Sequence, residues 1–261
     1  PGSREWSGSA IIEGTRLTLF FTAAGRCGEA SISYEQRLFD CTARLEVVTG
    51  RPRLVDWSAA AETLASDGIV YDPARAAGAS VGTIKAFRDP LFFRDPADGR
   101  DWLLFTGSLA VSTSAFNGCI GIASRANRDS AWRLHAPLLH ADGLDNELER
   151  PHIVIHGGRY HLFWSTQHSV FAPGIAAPTG LYGMAADGMA GPWLPINGSG
   201  LVIANPPDAP EQAYSWLVLS DLRVASFIDR WDPSLDARKG FGGVPAPMLR
   251  LALQGDCATL V

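Results

Sequence analysis

The stretch His152-Ile153-Val154-Ile155-His156-Gly157-Gly158-Arg159-Tyr160-His161-Leu162-Phe163-Trp164 reads as a β-hairpin: an apolar run, a glycine pair, and a second apolar run that ends in aromatics. Glycine supplies the positive φ of a tight turn, and short runs of β-branched and aromatic residues bounded by turn letters favour strands. The same plan occurs at Ser9–Ile12, turn Glu13-Gly14, Leu17–Thr22, and again at Leu91–Phe93, turn around Asp98-Gly99, Trp102–Thr106. In each the second strand ends in an aromatic residue and then a small polar one. A looser fourth copy is Trp216–Leu219 with Leu222–Phe227.

Two of these hairpins are followed by a second pair of short strands. Cys119–Ala123 leads to Trp132–Leu134, and Leu181–Ala185 leads to Trp193–Pro195. The repeating unit is therefore four strands in roughly 60 residues, the plan of a propeller blade. Helical periodicity is scarce, and 27 Gly and 17 Pro punctuate the chain, so the fold class is all-β. About four blades are expected, the last incomplete, in a single propeller domain spanning residues 1–261. The alternative is a β-sandwich with fortuitously similar hairpins.

The composition, 46% hydrophobic and 19% charged over 261 residues, belongs to a globular chain rather than a disordered one. A net charge of −5 argues against nucleic acid or an anionic membrane as partner, because both need a basic patch. No run of 18 apolar residues predicts a membrane span. Cys27, Cys41, Cys119 and Cys257 lack C-x-x-C spacing, so no zinc site is expected. They are compatible with one or two disulfides in an exported protein, or with free thiols.

A polar cluster precedes the first strand of each hairpin: Glu5-Trp6-Ser7-Gly8, Arg88-Asp89-Pro90, Glu147-Leu148-Glu149-Arg150-Pro151 and Tyr214-Ser215-Trp216. If the units are blades, symmetry gathers these clusters at one end of the axis. Carboxylates, arginines and aromatic faces then converge, a constellation suited to a sugar. Two carboxylates serve glycoside cleavage, one as acid and one as nucleophile or base. Glu149 is the expected acid. Glu147, two residues away in an extended segment, is expected on the same side of the strand, where a like charge would favour the protonated form of its neighbour while Arg150 pulls the other way. Arg94-Asp95-Pro96, by contrast, is expected to be a surface ion pair at a turn.

At these residues the chain resembles glycoside hydrolase family 68, the levansucrases, inulosucrases and bacterial β-fructofuranosidases. The likeness runs through Glu5–Ser9, Phe87–Pro90, Glu147–His152 and Gly191–Val202, in family order. It implies a five-bladed β-propeller and double displacement on sucrose, with sugar acceptors or water receiving the fructosyl unit and no cofactor. Glu149 would be the general acid/base and Asp89 the transition-state stabiliser. Arg88 would orient the fructosyl unit, which Trp6 and Ser7 would line. Arg150, Glu147 and Tyr214 would bind the glucosyl side or support Glu149, and Gln167-His168 would bear on the acceptor.

The sequence departs from the family in several places. The family nucleophile is an Asp in a Trp-Asp motif upstream of the Glu-Trp-Ser-Gly motif, and here only four residues precede Glu5. Trp231-Asp232 has the right letters after the wrong hairpin and is not assigned. The chain opens without a basic start or an apolar stretch and enters a motif almost at once, so an upstream segment is expected to be missing or removed. The resemblance therefore leads us to expect a second polypeptide, in a heterodimer, that supplies the remaining blade and its Asp. Such a partner would also cover strand edges that invite aggregation. Relatives that bind structural calcium place Asp where Asn146 stands, so no metal is expected, with a disulfide as a possible substitute. Sucrose is met outside the cytoplasm, so the expected location is secreted or periplasmic. The competing functions are a catalytically inactive fructoside-binding propeller, which the retained Glu149 disfavours, and another five-bladed glycosidase, which the Glu-Trp-Ser-Gly and Glu-Arg-Pro-His motifs disfavour.

Overall fold

Strand β1 (Arg4–Glu13) alternates between half-buried and exposed positions over most of its length, as a strand with one covered face does. Gly14, at φ 62°, turns it into β2 (Arg16–Ala24). The first sheet continues with β3 (Gln36–Val48) and β4 (Arg51–Val55), in the order β1-β2-β3-β4, while β5 (Ala61–Leu64) pairs with β3. The second sheet is β6 (Phe87–Arg94), β7 (Asp101–Ser108) and β8 (Gly118–Arg125), with the short β9 (Arg133–Leu134) and β10 (Leu139–His140) both on β8. This computed structural model describes residues 1–74, 84–232, 234–236 and 238–261. These two sheets make up one compact unit, Pro1–Glu147.

The second unit, Leu148–Val261, holds the other two sheets. In the third, β11 (Glu149–His156), β12 (Arg159–Thr166), β13 (Gly180–Ala186) and β14 (Leu194–Pro195) run in order, with β15 (Leu201–Ala204) on β13. In the fourth, β16 (Ala213–Val218) pairs with β17 (Arg223–Arg230), which carries β18 (Phe241–Pro245) and β19 (Leu249–Gln254), and β20 (Cys257–Leu260) closes the edge. Each sheet is an antiparallel, five-stranded propeller blade. The expectation of an incomplete last blade is thus corrected: β18–β20 complete it.

Each unit has its own core. In the first, Phe87 and Phe105 pack at a centroid distance of 4.6 Å, with Tyr71 5.0 Å from Phe105. All three are fully buried and, by area, each contributes roughly 2–3 kcal/mol. Gly121 is required beside them, because a Cβ there would lie 2.1 Å from the Phe105 ring. The second core gathers Phe163, Leu181, Ile196, Trp216 and Val224. All four cysteines are free thiols, with Cys119 buried and Cys27 and Cys257 exposed.

The four first strands share one irregularity. Pairing shifts between Trp6 and Gly8 in β1, Arg88 and Leu91 in β6, Glu149 and His152 in β11, and Tyr214 and Leu217 in β16. Each shift is a β-bulge with one extra residue on the first strand, which bends the strand and re-aims its side chains. In the last three, the residue after the shift point is left-handed: Asp89 at φ 59°, Arg150 at 54° and Ser215 at 66°. Non-glycine residues rarely adopt that region, and such strain gathers at functional sites. Pro90 and Pro151 follow two of them, so those bulge positions have no N–H to leave unpaired.

Candidate active site

The predicted polar clusters are the four bulges. In the first unit, Asp89 is 6% exposed and each of its carboxylate oxygens accepts one hydroxyl. Oδ1 accepts the Ser7 hydroxyl, Oδ2 accepts the Thr106 hydroxyl at 3.1 Å, and Arg88 Nε lies 3.7 Å from Oδ2. The Asp89 backbone N–H donates to Thr22 Oγ1 at 2.9 Å, and that threonine donates to the Ser7 carbonyl at 3.1 Å. Gly8 completes the bulge, since a Cβ there would sit 1.9 Å from the Phe20 carbonyl oxygen. Trp6, half-buried, takes the Arg4 guanidinium at 5.9 Å from its ring centre.

Arg88 also pairs with Glu147, Nη2 to Oε2 at 3.3 Å. Arg88 and Glu147 are 5% and 7% exposed, so three charges meet in a nearly dry setting. Buried ion pairs add little net stability but are costly when broken. Their concentration at a strained bulge therefore points to chemistry rather than to folding. Asp145 Oδ1 accepts the Glu147 N–H at 2.9 Å, and Asn146 Nδ2 approaches Glu147 Oε1 at 3.4 Å.

In the second unit, Glu149 opens β11, half-buried, and accepts the hydroxyl hydrogen of Tyr214, also half-buried. Tyr214 stacks edge-on against the buried Trp216, with centroids 6.0 Å apart. The Trp216 N–H at the fourth bulge donates to Ser165 Oγ at 3.1 Å. Below Arg150 lies a fully buried imidazole. His152 Nδ1 is 3.0 Å from the Arg150 carbonyl oxygen, and His152 Nε2 accepts the Val218 N–H at 2.9 Å. The accepting Nε2 fixes the proton on Nδ1, which donates to Arg150 and pins the bulge. Burial pushes the His152 pKa down to about 4, so the ring is neutral. Gln167 is half-buried and His168 exposed, where the His168 N–H donates to Thr179 Oγ1 at 3.0 Å.

Several expectations need correction. Strand β11 begins at Glu149, so Glu147 lies outside it and strand alternation does not relate the two carboxyls. Glu147 belongs with Arg88, and Glu149 with Tyr214. Asp95 is buried and caps a turn through the Ala97 N–H at 2.9 Å, while Arg94 pairs with Glu13 and Asp101. Asp232 caps Ser234 beside an exposed Trp231. Sequence reasoning missed the hydroxyls of Thr22, Thr106 and Ser165, although they are the small polar residues that close the repeated second strands. It also missed His152 as a brace, and Lys85.

Lys85 bears on the question of a metal. Its ammonium donates to the Ala115 carbonyl oxygen and Asn117 Oδ1, both at 2.6 Å, and to Asn146 Oδ1 at 3.2 Å. The oxygens beside Asn146 are thus already gathered around a cation of the protein's own, and a divalent ion does not fit there. Among the described residues no group of three or more His, Cys, Asp or Glu could hold a metal. No helix among them is long and apolar enough to cross a membrane.

Bulged antiparallel blades carrying buried Arg–Asp and Arg–Glu pairs and a Tyr-bonded glutamate define an all-β protein of the propeller class with its polar side chains gathered at the bulges. The chain belongs to glycoside hydrolase family 68, whose profile, described as Levansucrase/Invertase, matches residues 1–117 and 112–261. It is 31% identical to the levansucrase of Rahnella aquatilis, over 98% of this chain and 65% of that protein. It is 32% identical to the levansucrase of Zymomonas mobilis, over 98% of this chain and 64% of that one. Among solved structures, the inulosucrase from Halalkalicoccus jeotgali bound to kestose aligns with a TM-score of 0.90 at 39% identity, covering 99% of this chain and 70% of that chain. The chain spans just under two thirds of the length of these curated relatives.

Proposed function

We propose that the chain is the acid/base-bearing part of a retaining β-fructosyltransferase that cleaves sucrose. Glu149 donates its proton to the glucosyl oxygen as the bond from that oxygen to fructosyl C2 breaks. A carboxylate nucleophile forms an ester to C2, and glucose leaves. An acceptor hydroxyl, from a sugar or from water, then attacks C2, gives its proton to Glu149 and releases the nucleophile. Asp89 accepts hydrogen bonds from fructosyl hydroxyls as positive charge develops at the ring, and Arg88, Trp6 and Ser7 orient that unit. Arg150 and Glu147 contact the glucosyl side, and Gln167 and His168 meet the acceptor.

The observation that carries this proposal is the Tyr214–Glu149 hydrogen bond at a strained bulge, in a chain of this family. A protein that only binds fructosides has no need of a held acid. We further propose that a second polypeptide supplies the nucleophile, in an exported complex. The test is purification of the native protein, intact-mass analysis of each chain, and assay of glucose and fructose from sucrose. A companion chain with a Trp-Asp motif and glucose in excess of fructose support a split transferase, and equal release supports a hydrolase. Sucrose binding without glucose release leaves only the inactive binding protein.

A further inference from the structure

Lys85 has no part in the scheme above, yet its ammonium makes three hydrogen bonds. Three oxygens receive its ammonium, and these saturate its three donors. Asn117 and Asn146 are 3% and 0% exposed. They come from segments far apart in sequence: Asn117 immediately before β8, and Asn146 immediately before Glu147. The Asn117 amide also donates to the Leu109 carbonyl at 2.7 Å, and the Asn146 amide to the Ile84 carbonyl at 3.1 Å. The Gly118 N–H donates to the Asp145 carbonyl at 2.8 Å, and a Cβ on Gly118 would lie 2.7 Å from the Asn146 carbonyl group. The strand start and the 145–147 segment are thus in direct backbone contact around the ammonium.

We infer that the Lys85 ammonium is a built-in cation that replaces a bound metal ion in this ring of oxygens and, through Asn146 and Glu147, holds Arg88 in place. The link runs from Lys85 Nζ to Asn146 Oδ1, from Asn146 Nδ2 to Glu147 Oε1, and from Glu147 Oε2 to Arg88 Nη2. Lys85 is a positioning residue in this account. Burial lowers the Lys85 pKa, and the nearby carboxylates of Asp72 and Glu147 oppose that shift. A metal ion is exchangeable, whereas an ammonium on the chain is not, so the brace is independent of the ionic composition of the medium.

The structural part of this inference stands alone, and its kinetic part rests on the proposed function. The test compares the complete purified protein with Lys85→Met and Asn117→Ala variants, by melting with and without chelator and calcium and by sucrose kinetics. Wild-type Tm is expected to be unmoved by EDTA or calcium. Lys85→Met is expected to melt roughly 5 °C lower or more. Its KM for sucrose should rise about tenfold with kcat less affected, because Arg88 holds substrate in the ground state as well. A fall of wild-type Tm in EDTA overturns the built-in cation, as does a Lys85→Met variant with wild-type Tm. A lower Tm with unchanged KM overturns the positioning role. If Lys85→Met does not fold, Asn117→Ala decides by the same two readouts. If the wild type does not cleave sucrose, the functional proposal fails while the melting comparison still decides the cation.

Discussion

Ser7, at the bulge of β1, donates its hydroxyl hydrogen to Oδ1 of Asp89, at the bulge of β6. Two irregularities 82 residues apart in sequence are thereby locked to each other. Thr22 reinforces the lock by donating to the Ser7 carbonyl and accepting from the Asp89 N–H. Ser7→Ala removes one of the two hydroxyl donors of a buried carboxylate. A hydrogen bond to a charged group is worth about 1.5–3 kcal/mol, so kcat/KM for sucrose should fall at least tenfold. Steady-state kinetics checks this, and Thr106→Ala should act in the same direction.

Tyr214→Phe keeps the ring packed on Trp216 and deletes only the hydroxyl that Glu149 accepts. Glu149, the proposed acid, then loses the hydrogen bond that holds its orientation. The expected result is a drop of about tenfold in kcat with KM for sucrose little changed, because the lost contact serves proton transfer more than binding. A rise in KM at constant kcat would instead place Tyr214 among the sugar contacts.

His152 makes stability depend on pH. Its folded pKa is depressed to about 4 from 6.5 by burial, so the unfolded chain takes up the proton first as pH falls. Stability from this group is complete above about 6.5 and is lost between about 6.5 and 4, by on the order of 3 kcal/mol. Burial depresses His161 in the same direction. Urea unfolding from pH 7 to pH 4 should show the decline, and His152→Gln should flatten it while lowering stability at pH 7. An unchanged slope in the variant would assign the decline to other groups.

Thiol reactivity follows burial. Cys27 and Cys257 are exposed and should react promptly with a disulfide reagent in the native protein. Cys119 is buried and its pKa is pushed up to about 12, so it should react only on unfolding. Cys41 is half-buried, with its pKa raised by burial, and should be slow. Titration before and after denaturation counts these classes.

The hairpins were legible because turn glycines and alternation act locally: β1–β2, β6–β7 and β11–β12 lie where the sequence places them. The outer strands were not. β4 is exposed along nearly all its length, so no alternation marks it. β18 reads Phe-Gly-Gly-Val-Pro, turn letters tolerated in a strand that bonds through only one neighbour. The polar residues at the four bulges were legible from their shared place in the repeat. Their bulges were not, because a bulge depends on the register of a partner strand, as at Asp89 against β7. Glu147 and Glu149 looked equivalent in sequence, yet the strand starts between them.

The most direct measurement of the central claim is glucose release from sucrose by the complete purified protein and by its Glu149→Gln variant. The substitution keeps the shape of the side chain and removes its transferable proton. The account predicts that kcat falls about a thousandfold, within the range general acid–base catalysis supplies, while sucrose still binds. A Glu149→Gln variant that retains more than about a tenth of wild-type turnover, against the hundredfold or greater loss expected of a missing acid, would contradict it.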